Sequence, residues 1–397
     1  MRFIAILSLL AAGSVMTFAQ SSKQTFGANP NLPFSGAVKA GGLIYVAGAI
    51  GPASGELAKG DIKAQTKQTL DNIAATLRAA GSSLANAASV TVYLRNANDF
   101  AAMNEVYATY WAKDPPARTT VIVTQPLAVA DGLVEISMVA IPNGGERVVV
   151  HPSDWIKSPS PYSYGIKSGN TLFLSGLVSR NGKDNTTVKG DITAQTKTVL
   201  DNGAAILKEA GMSFADVVSS RIYLTDDTTF QAMNTAYRAY FPTMPPARAT
   251  VKAGLTSPDY VVEITMVAVK DPSRKAITTP NADGTPGNAN PNLSSAIQVG
   301  NRLYVAGILG NTQTNKGDVK AQTSELLTRV GRTLKTAGFD WAHVVDGVVY
   351  LPDMTKFPDM NAAYREVITK EFPARATIGT GLMGADGLVE IMFTAVK

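Results

Sequence analysis

From Gly42 to Ile50 the chain runs through a short β-branched and apolar stretch that predicts a strand. After Asp61 the apolar period changes: Ile62, Thr66, Leu70, Ile73 and Leu77 step by three or four until Gly81 ends the pattern. That spacing predicts an amphipathic helix capped by Asp61. Val90, Val92 and Leu94 alternate as a strand, and Phe100, Met103, Tyr107 and Tyr110 return to helical spacing. Two last strands are predicted near Thr119 to Thr124 and Leu133 to Ile141, separated by Ala128 to Gly132 as in a hairpin. The order β-β-α-β-α-β-β makes this unit an α+β domain with its helices on one face of a mixed sheet.

The unit recurs twice. Gly60-Asp61-Ile62-Lys63-Ala64-Gln65-Thr66 returns as Gly190-Asp191-Ile192-Thr193-Ala194-Gln195-Thr196 and as Gly317-Asp318-Val319-Lys320-Ala321-Gln322-Thr323. Met103-Asn104, Met233-Asn234 and Met360-Asn361 follow, then Pro-Ala-Arg triplets ending at Arg118, Arg248 and Arg375, then Val-Glu-Ile around Glu135, Glu263 and Glu390. The period is too long for a solenoid repeat, so these are whole domains. We place them at 27–141, 155–270 and 291–397, joined by linkers at 142–154 and 271–290 that are rich in turn-forming residues. One face of each sheet is covered by helices. The other needs apolar company, most simply the sheets of the sister copies, which predicts a closed pseudo-trimer in one chain.

Composition narrows the function. At 397 residues and 45% apolar, the chain suits two or three cores rather than one, and its even 17% of charged residues fits neither a disordered protein nor a coiled coil. Met1-Arg2, the apolar run Phe3 to Phe18 and Ala19-Gln20-Ser21 have the three parts of a secretory signal, placed at 1–19, which predicts an exported, periplasmic or secreted protein without stable membrane association after cleavage. The run is too short and too interrupted by Ser8, Gly13 and Ser14 for a spanning helix. A net charge of +5 with no basic run is no nucleic-acid footprint. The absence of cysteine excludes disulfides and thiolate chemistry, and the two histidines, His151 and His343, are too few for a histidine metal cluster. No metal is expected.

What remains is the repeated arginine and glutamate, 17 residues apart in the first copy and 15 in the others. They can reach the same end of one sheet or face a neighbouring copy's edge. A guanidinium there can hold a carboxylate through two parallel hydrogen bonds, and a glutamate can orient water or relay protons. The alternative is structural: arginine and glutamate paired only to satisfy buried charge. Asn104, Asn234 and Asn361 fall on the second helix, where a packing role is the simpler reading. The stretch Val46-Ala47-Gly48-Ala49-Ile50-Gly51 lacks the spacing of a phosphate loop.

Asp71-Asn72, the run Asp99-Phe100-Ala101-Ala102-Met103-Asn104, Pro116-Ala117-Arg118 and Val134-Glu135-Ile136 together resemble the RidA/YjgF family of enamine/imine deaminases, and the other two copies repeat the pattern through Arg248 and Glu263, and Arg375 and Glu390. The resemblance covers nearly all of the chain after the signal. It implies three chorismate-mutase-like domains, clefts between adjacent copies, and hydrolysis of 2-aminoacrylate-type enamines and imines to 2-keto acids and ammonia without a cofactor. By matched position, Arg118, Arg248 and Arg375 would bind the substrate carboxylate, Glu135, Glu263 and Glu390 would position water, and Asn104, Asn234 and Asn361 would line the cleft. Tyr162, Ser175, Gly176, Thr120, Thr250 and Thr377 would complete the substrate site.

Departures from the family pattern predict unequal clefts. Tyr162 is replaced by Phe34 and Leu293 in the other copies, and Ser175-Gly176 by Ala47-Gly48 and Ala306-Gly307. Thr120, Thr250 and Thr377 stand where well-known deaminases carry cysteine. The cleft with Tyr162 is therefore expected to be the active one, and the longer first copy is expected to displace its arginine and glutamate. A non-catalytic module that captures small carboxylates, or a holdase surface, is the competing reading. Ribonuclease activity, attached to some relatives, is disfavoured by the missing basic patch and histidine pair.

Overall fold

The computed structural model describes residues 23–28, 31–52 and 54–397, so the signal expected at 1–19 lies outside the described residues. The first copy contains β1 (Gln24–Ala28), β2 (Ser35–Ala40), β3 (Leu43–Ala49), α1 (Ile62–Ala79), β4 (Ala87–Leu94), α2 (Phe100–Tyr110), β5 (Ala117–Ile122) and β6 (Val134–Ala140). The second contains β7 (Val148–Val150), β8 (Gly165–Ser168), β9 (Thr171–Leu174), α3 (Ile192–Glu209), β10 (Val217–Leu224), α4 (Phe230–Arg238), β11 (Ala247–Lys252) and β12 (Val262–Val269). The third contains β13 (Lys275–Ile277), β14 (Ala296–Val299), β15 (Arg302–Leu309), α5 (Val319–Thr336), β16 (Val344–Leu351), α6 (Phe357–Val367), β17 (Ala374–Gly379), β18 (Gly381–Leu382) and β19 (Glu390–Val396).

The helix after each Gly-Asp begins where its chemistry dictates. Asp61, Asp191 and Asp318 accept a hydrogen bond from the backbone N–H three residues on, at 3.0, 2.8 and 2.9 Å, satisfying a donor that the first turn leaves free. Gly81, Gly211 and Gly338 stop the helices with φ of +80, +71 and +75°, a left-handed conformation that costs glycine nothing. The stripe Ile62, Leu70, Ile73 and Leu77 is buried against β3, β4 and β6.

Two expectations are corrected. The strands carrying arginine and glutamate are not a hairpin: β4 lies between them, parallel to β5 and antiparallel to β6. The turn-rich segment 123–133 is thus a crossover over the end of β4, and the two residues diverge to opposite sides of that strand. The linkers expected at 142–154 and 271–290 each also contain a strand. β7 and β13 pair with β8 and β14, as β1 pairs with β2, so each copy has an additional leading strand.

Those leading segments grip the preceding copy in the ring. Lys23 donates to the carbonyls of Val344 and Glu371 at 2.7 and 2.6 Å, Arg147 to Ala87 and Asp114 at 2.9 Å each, and Arg274 to Val217 and Met244 at 2.8 and 2.9 Å. A second repeated contact is a serine after the first turn of each copy. The hydroxyls of Ser35, Ser163 and Ser294 each donate at 2.6 Å to the carbonyls of Phe372, Pro115 and Pro245, and their N–H groups donate to the next residue along. The ring closes where Ile122 bridges Gly254, Thr124 N donates to the Gly379 carbonyl at 3.0 Å, and β11 pairs β18.

Inside the ring the sheet faces opposite the helices bury one another. Tyr93, Tyr223 and Tyr350, all 0% exposed, gather with Val121, Val251 and Ile378 from the three copies. A single chain therefore forms the expected pseudo-trimer. Ser163 is 8% exposed, so Ser163→Ala strands the Pro115 carbonyl at an inter-copy seam. Urea denaturation of that variant is expected to show a loss of about 1–3 kcal/mol; an unchanged midpoint would mean the serine contacts do not hold the copies together.

Candidate functional site

Each arginine is the second residue of the outermost strand that its own copy contributes, β5, β11 or β17, and is buried, with 5, 2 and 2% exposure for Arg118, Arg248 and Arg375. The guanidinium is held from its own copy. It donates to Asn104, Asn234 or Asn361 Oδ1, at 2.7 Å in every case. It also lies over the ring of Tyr107, Tyr237 or Tyr364, with 4.7, 4.9 and 4.8 Å from Cζ to the ring centroid, a cation over a π-face. The asparagine on the helix thus aims the arginine rather than packing passively. Nε and Nη1 of both Arg248 and Arg375 are buried with no hydrogen-bond partner. None of the ion pairs among the described residues includes these arginines, so they are not simply neutralised by the glutamates.

Each glutamate comes from the next copy. Glu263 faces Arg118 and accepts from Thr120 N at 3.3 Å; Glu135 faces Arg375 and accepts from Thr377 N; Glu390 faces Arg248. The pairing inside one copy that spacing invited is absent, and three clefts are split between copies 1 and 2, 2 and 3, and 3 and 1. Burial pushes each of the three carboxyls up to about 8, opposed by the facing arginine and, for Glu263 and Glu135, by the threonine N–H. Near neutral pH each carboxyl therefore carries a proton that it can give. The same burial lowers the arginines, which remain cations.

The first copy's pair is not displaced. Glu135 stands opposite Tyr93 as Glu263 stands opposite Tyr223 and Glu390 opposite Tyr350. Its two extra residues are absorbed in the crossover loop before Asp131, and Gln65 clamps that loop by donating to the Asp131 carbonyl at 2.9 Å and accepting from Leu133 N at 2.7 Å. Gln195 and Gln322 make the same pair of bonds in the other copies. These glutamines were visible in the repeated Gly-Asp-x-x-Ala-Gln-Thr motif, but they bond to residues 64 to 68 positions away, which no local pattern signals.

Gly48 and Gly307 lie at β-bulges, between Val46 and Ala49 and between Val305 and Ile308, and Gly176 holds the equivalent place. A Cβ on any of the three would collide with the glutamate carboxyl of its own copy. Glycine here is room for the carboxyl, not a substrate contact of Gly176 alone. Ser175 is likewise not a cleft group: fully buried, its hydroxyl accepts from Arg118 N at 3.0 Å and donates to the Ser163 carbonyl at 2.6 Å. The hydroxyls of Thr120 and Thr250 are buried without partners. Tyr162 is half-buried and interacts electrostatically with both Arg118 and Glu263, so its cleft uses the first copy's arginine. In the cleft between copies 3 and 1 Phe34 lies 5.2 Å from Arg375 Cζ, beside a cavity of about 180 Å³ that Glu135, Arg375 and Thr377 also line. The serine following Phe34, Tyr162 and Leu293 recurs in every copy, and that recurrence was the available signal for the seam contacts.

The family model described as endoribonuclease L-PSP matches the chain at residues 27–142, 153–270 and 286–397. A RutC family protein of Pyrococcus horikoshii is 51% identical over 110 residues, 27% of this chain and 86% of that protein. Another from Sulfurisphaera tokodaii is 42% identical over 114 residues, 29% of this chain and 91% of that protein. The structure of RidA from an Antarctic Psychrobacter is 30% identical, covering 31% of this chain and 99% of its own, with a TM-score of 0.30. A chorismatase, only 14% identical, shares the fold over 88% of this chain and 98% of its own, with a TM-score of 0.53. Three matches spanning most of its length, each with its arginine, asparagine and glutamate in the same register, make this chain a member of the endoribonuclease L-PSP family, the RidA/YjgF proteins, with three copies in tandem.

Proposed function

We propose that the chain hydrolyses small enamines and imines of 2-amino acids to 2-keto acids and ammonia, in the clefts between its copies. The observation that carries this reading is a buried arginine facing, across a copy boundary, a glutamate whose carboxyl burial has pushed up to about 8. The arginine holds the substrate carboxylate by charge-assisted hydrogen bonds, fixing the C=N carbon beside the glutamate. The neutral carboxyl protonates the enamine carbon, giving the imine, and the resulting carboxylate takes a proton from the attacking water. The carboxyl then gives that proton to the carbinolamine nitrogen, the C–N bond breaks to release ammonia, and the hydroxyl proton passes to the carboxylate as the C=O bond of the 2-keto acid forms. One water is consumed, and the glutamate ends in its starting state.

Binding of small carboxylates without turnover is the second reading, and the replacement of Tyr162 by Phe34 and Leu293 favours it for two of the clefts. The apolar run Phe3 to Phe18 supports action outside the cytoplasm, as a single-chain pseudo-trimer.

With 2-aminoacrylate generated in situ, the protein is expected to speed release of pyruvate and ammonia by at least about 100-fold, the scale of one placed acid–base group. A variant with Arg118, Arg248 and Arg375 all changed to Ala should lose that effect while retaining its far-ultraviolet circular dichroism. If wild type leaves the intermediate's lifetime unchanged, catalysis is ruled out and the binding reading stands.

The pH dependence follows from the raised carboxyls. A glutamate whose folded value lies above its unfolded one contributes stability that is complete below the ordinary carboxylate range and lost as pH rises through about 8. The melting temperature should therefore fall from pH 5 to 8.5, and less steeply in Glu263→Gln, whose amide does not titrate. Turnover should fall at the upper end of that range, as pH rises past about 8 and the proton is lost. A melting profile that Glu263→Gln leaves unaltered would place that carboxyl in the ordinary range.

A further inference from the structure

The crossover loop of the first copy builds a wall. Its Ala128 and Val129, which stand where the second copy has Thr256 and Ser257, line the cavity of about 180 Å³ between copies 3 and 1. Leu32, Phe34, Ile50 and Phe357 form the rest of its apolar lining, and Arg375 and Glu135 stand at its polar end. Arg375 is 2% exposed and keeps Nε and Nη1 without partners, so two buried donors await an acceptor there. At the positions matching Leu32 and Phe34, the cleft between copies 1 and 2 has Ser160 and Tyr162, and its facing loop is two residues shorter.

We infer that the cleft between copies 3 and 1 is a specificity site for 2-imino and 2-oxo acids bearing a branched or aromatic hydrocarbon side chain, whereas the Tyr162 cleft takes small or polar ones. The inference rests on the proposed function for the imino acids, but the binding preference for the oxo acids stands without turnover. The volume is below the roughly 300 Å³ of pockets for drug-sized ligands, which suits an acid of a few carbons. The carboxylate meets Arg375, the C2 substituent meets Glu135, and the hydrocarbon lies against Phe34, Ile50 and Val129. Phe34 offers this ligand a face where Tyr162 offers the other cleft a hydroxyl. The sequence departures that seemed to disable this cleft instead change what it holds.

The experiment is calorimetric titration of the full chain with pyruvate and with 4-methyl-2-oxopentanoate. One added methylene in an apolar pocket changes selectivity by about 10- to 200-fold, so the branched acid is expected to bind at least about ten-fold more tightly, at one such site per chain. Ala128 is exposed at the cavity rim, so Ala128→Trp should fold, which its melting temperature checks, and should erase the preference while pyruvate still binds. Equal affinities in wild type, or a preference that survives Ala128→Trp, would overturn the inference. The preference found together with a failed deaminase assay would leave it standing and remove only the catalytic reading.

Discussion

Each copy has helices on one sheet face only, and the burial of the three uncovered faces against one another is the constraint on which the rest of the structure depends. Apolar surface of this kind must leave water, and among the described residues it is the sister copies that cover it. The copies therefore meet around Tyr93, Tyr223 and Tyr350, and the outer strand of each sheet is brought against the next copy. Every element of the clefts follows from that edge-to-face contact. An arginine on an outer strand looks across the boundary, and a glutamate on an inner strand of the next copy looks back.

Because the arginines and glutamates at the boundary are buried, the electrostatics of the cleft differ from those of the same residues in water. Burial raises the glutamates toward neutrality and leaves the arginines of two of the clefts with donors that no described protein group satisfies. A direct arginine–glutamate ion pair would have quenched both effects. The asparagine and tyrosine beneath each guanidinium prevent it by holding the cation from its own copy, so charge and proton remain separately available.

Joining three copies in one chain frees them to differ. In a ring of identical subunits any change appears in all three clefts, whereas here Tyr162, Phe34 and Leu293 occupy one equivalent position, and one crossover loop alone has two more residues. The seam contacts of Ser35, Ser163 and Ser294 and the clamps of Gln65, Gln195 and Gln322 are kept in all copies. The framework is repeated while the cleft lining varies.

The helices, their aspartate caps and glycine stops, the threefold repeat and the residues of the site were all legible along the chain, because periodicity, capping and tandem similarity act between near neighbours or between aligned copies. Arg118 and Glu135 were visible as partners in one repeat, yet they serve different clefts. That assignment depends on β4 lying between their strands and on which copy packs against which, the latter through contacts such as Thr120 with Glu263, 143 residues apart in sequence. The glycine that makes room for each carboxyl depends on pairing between distant strands of one copy, and the serine at each seam and the use of Ala128 and Val129 as a cavity wall depend on packing between copies. Local composition determined which groups this protein has to work with; only the packing of the three sheets decided which of them face one another, because burial acts on surfaces and not on sequence neighbours.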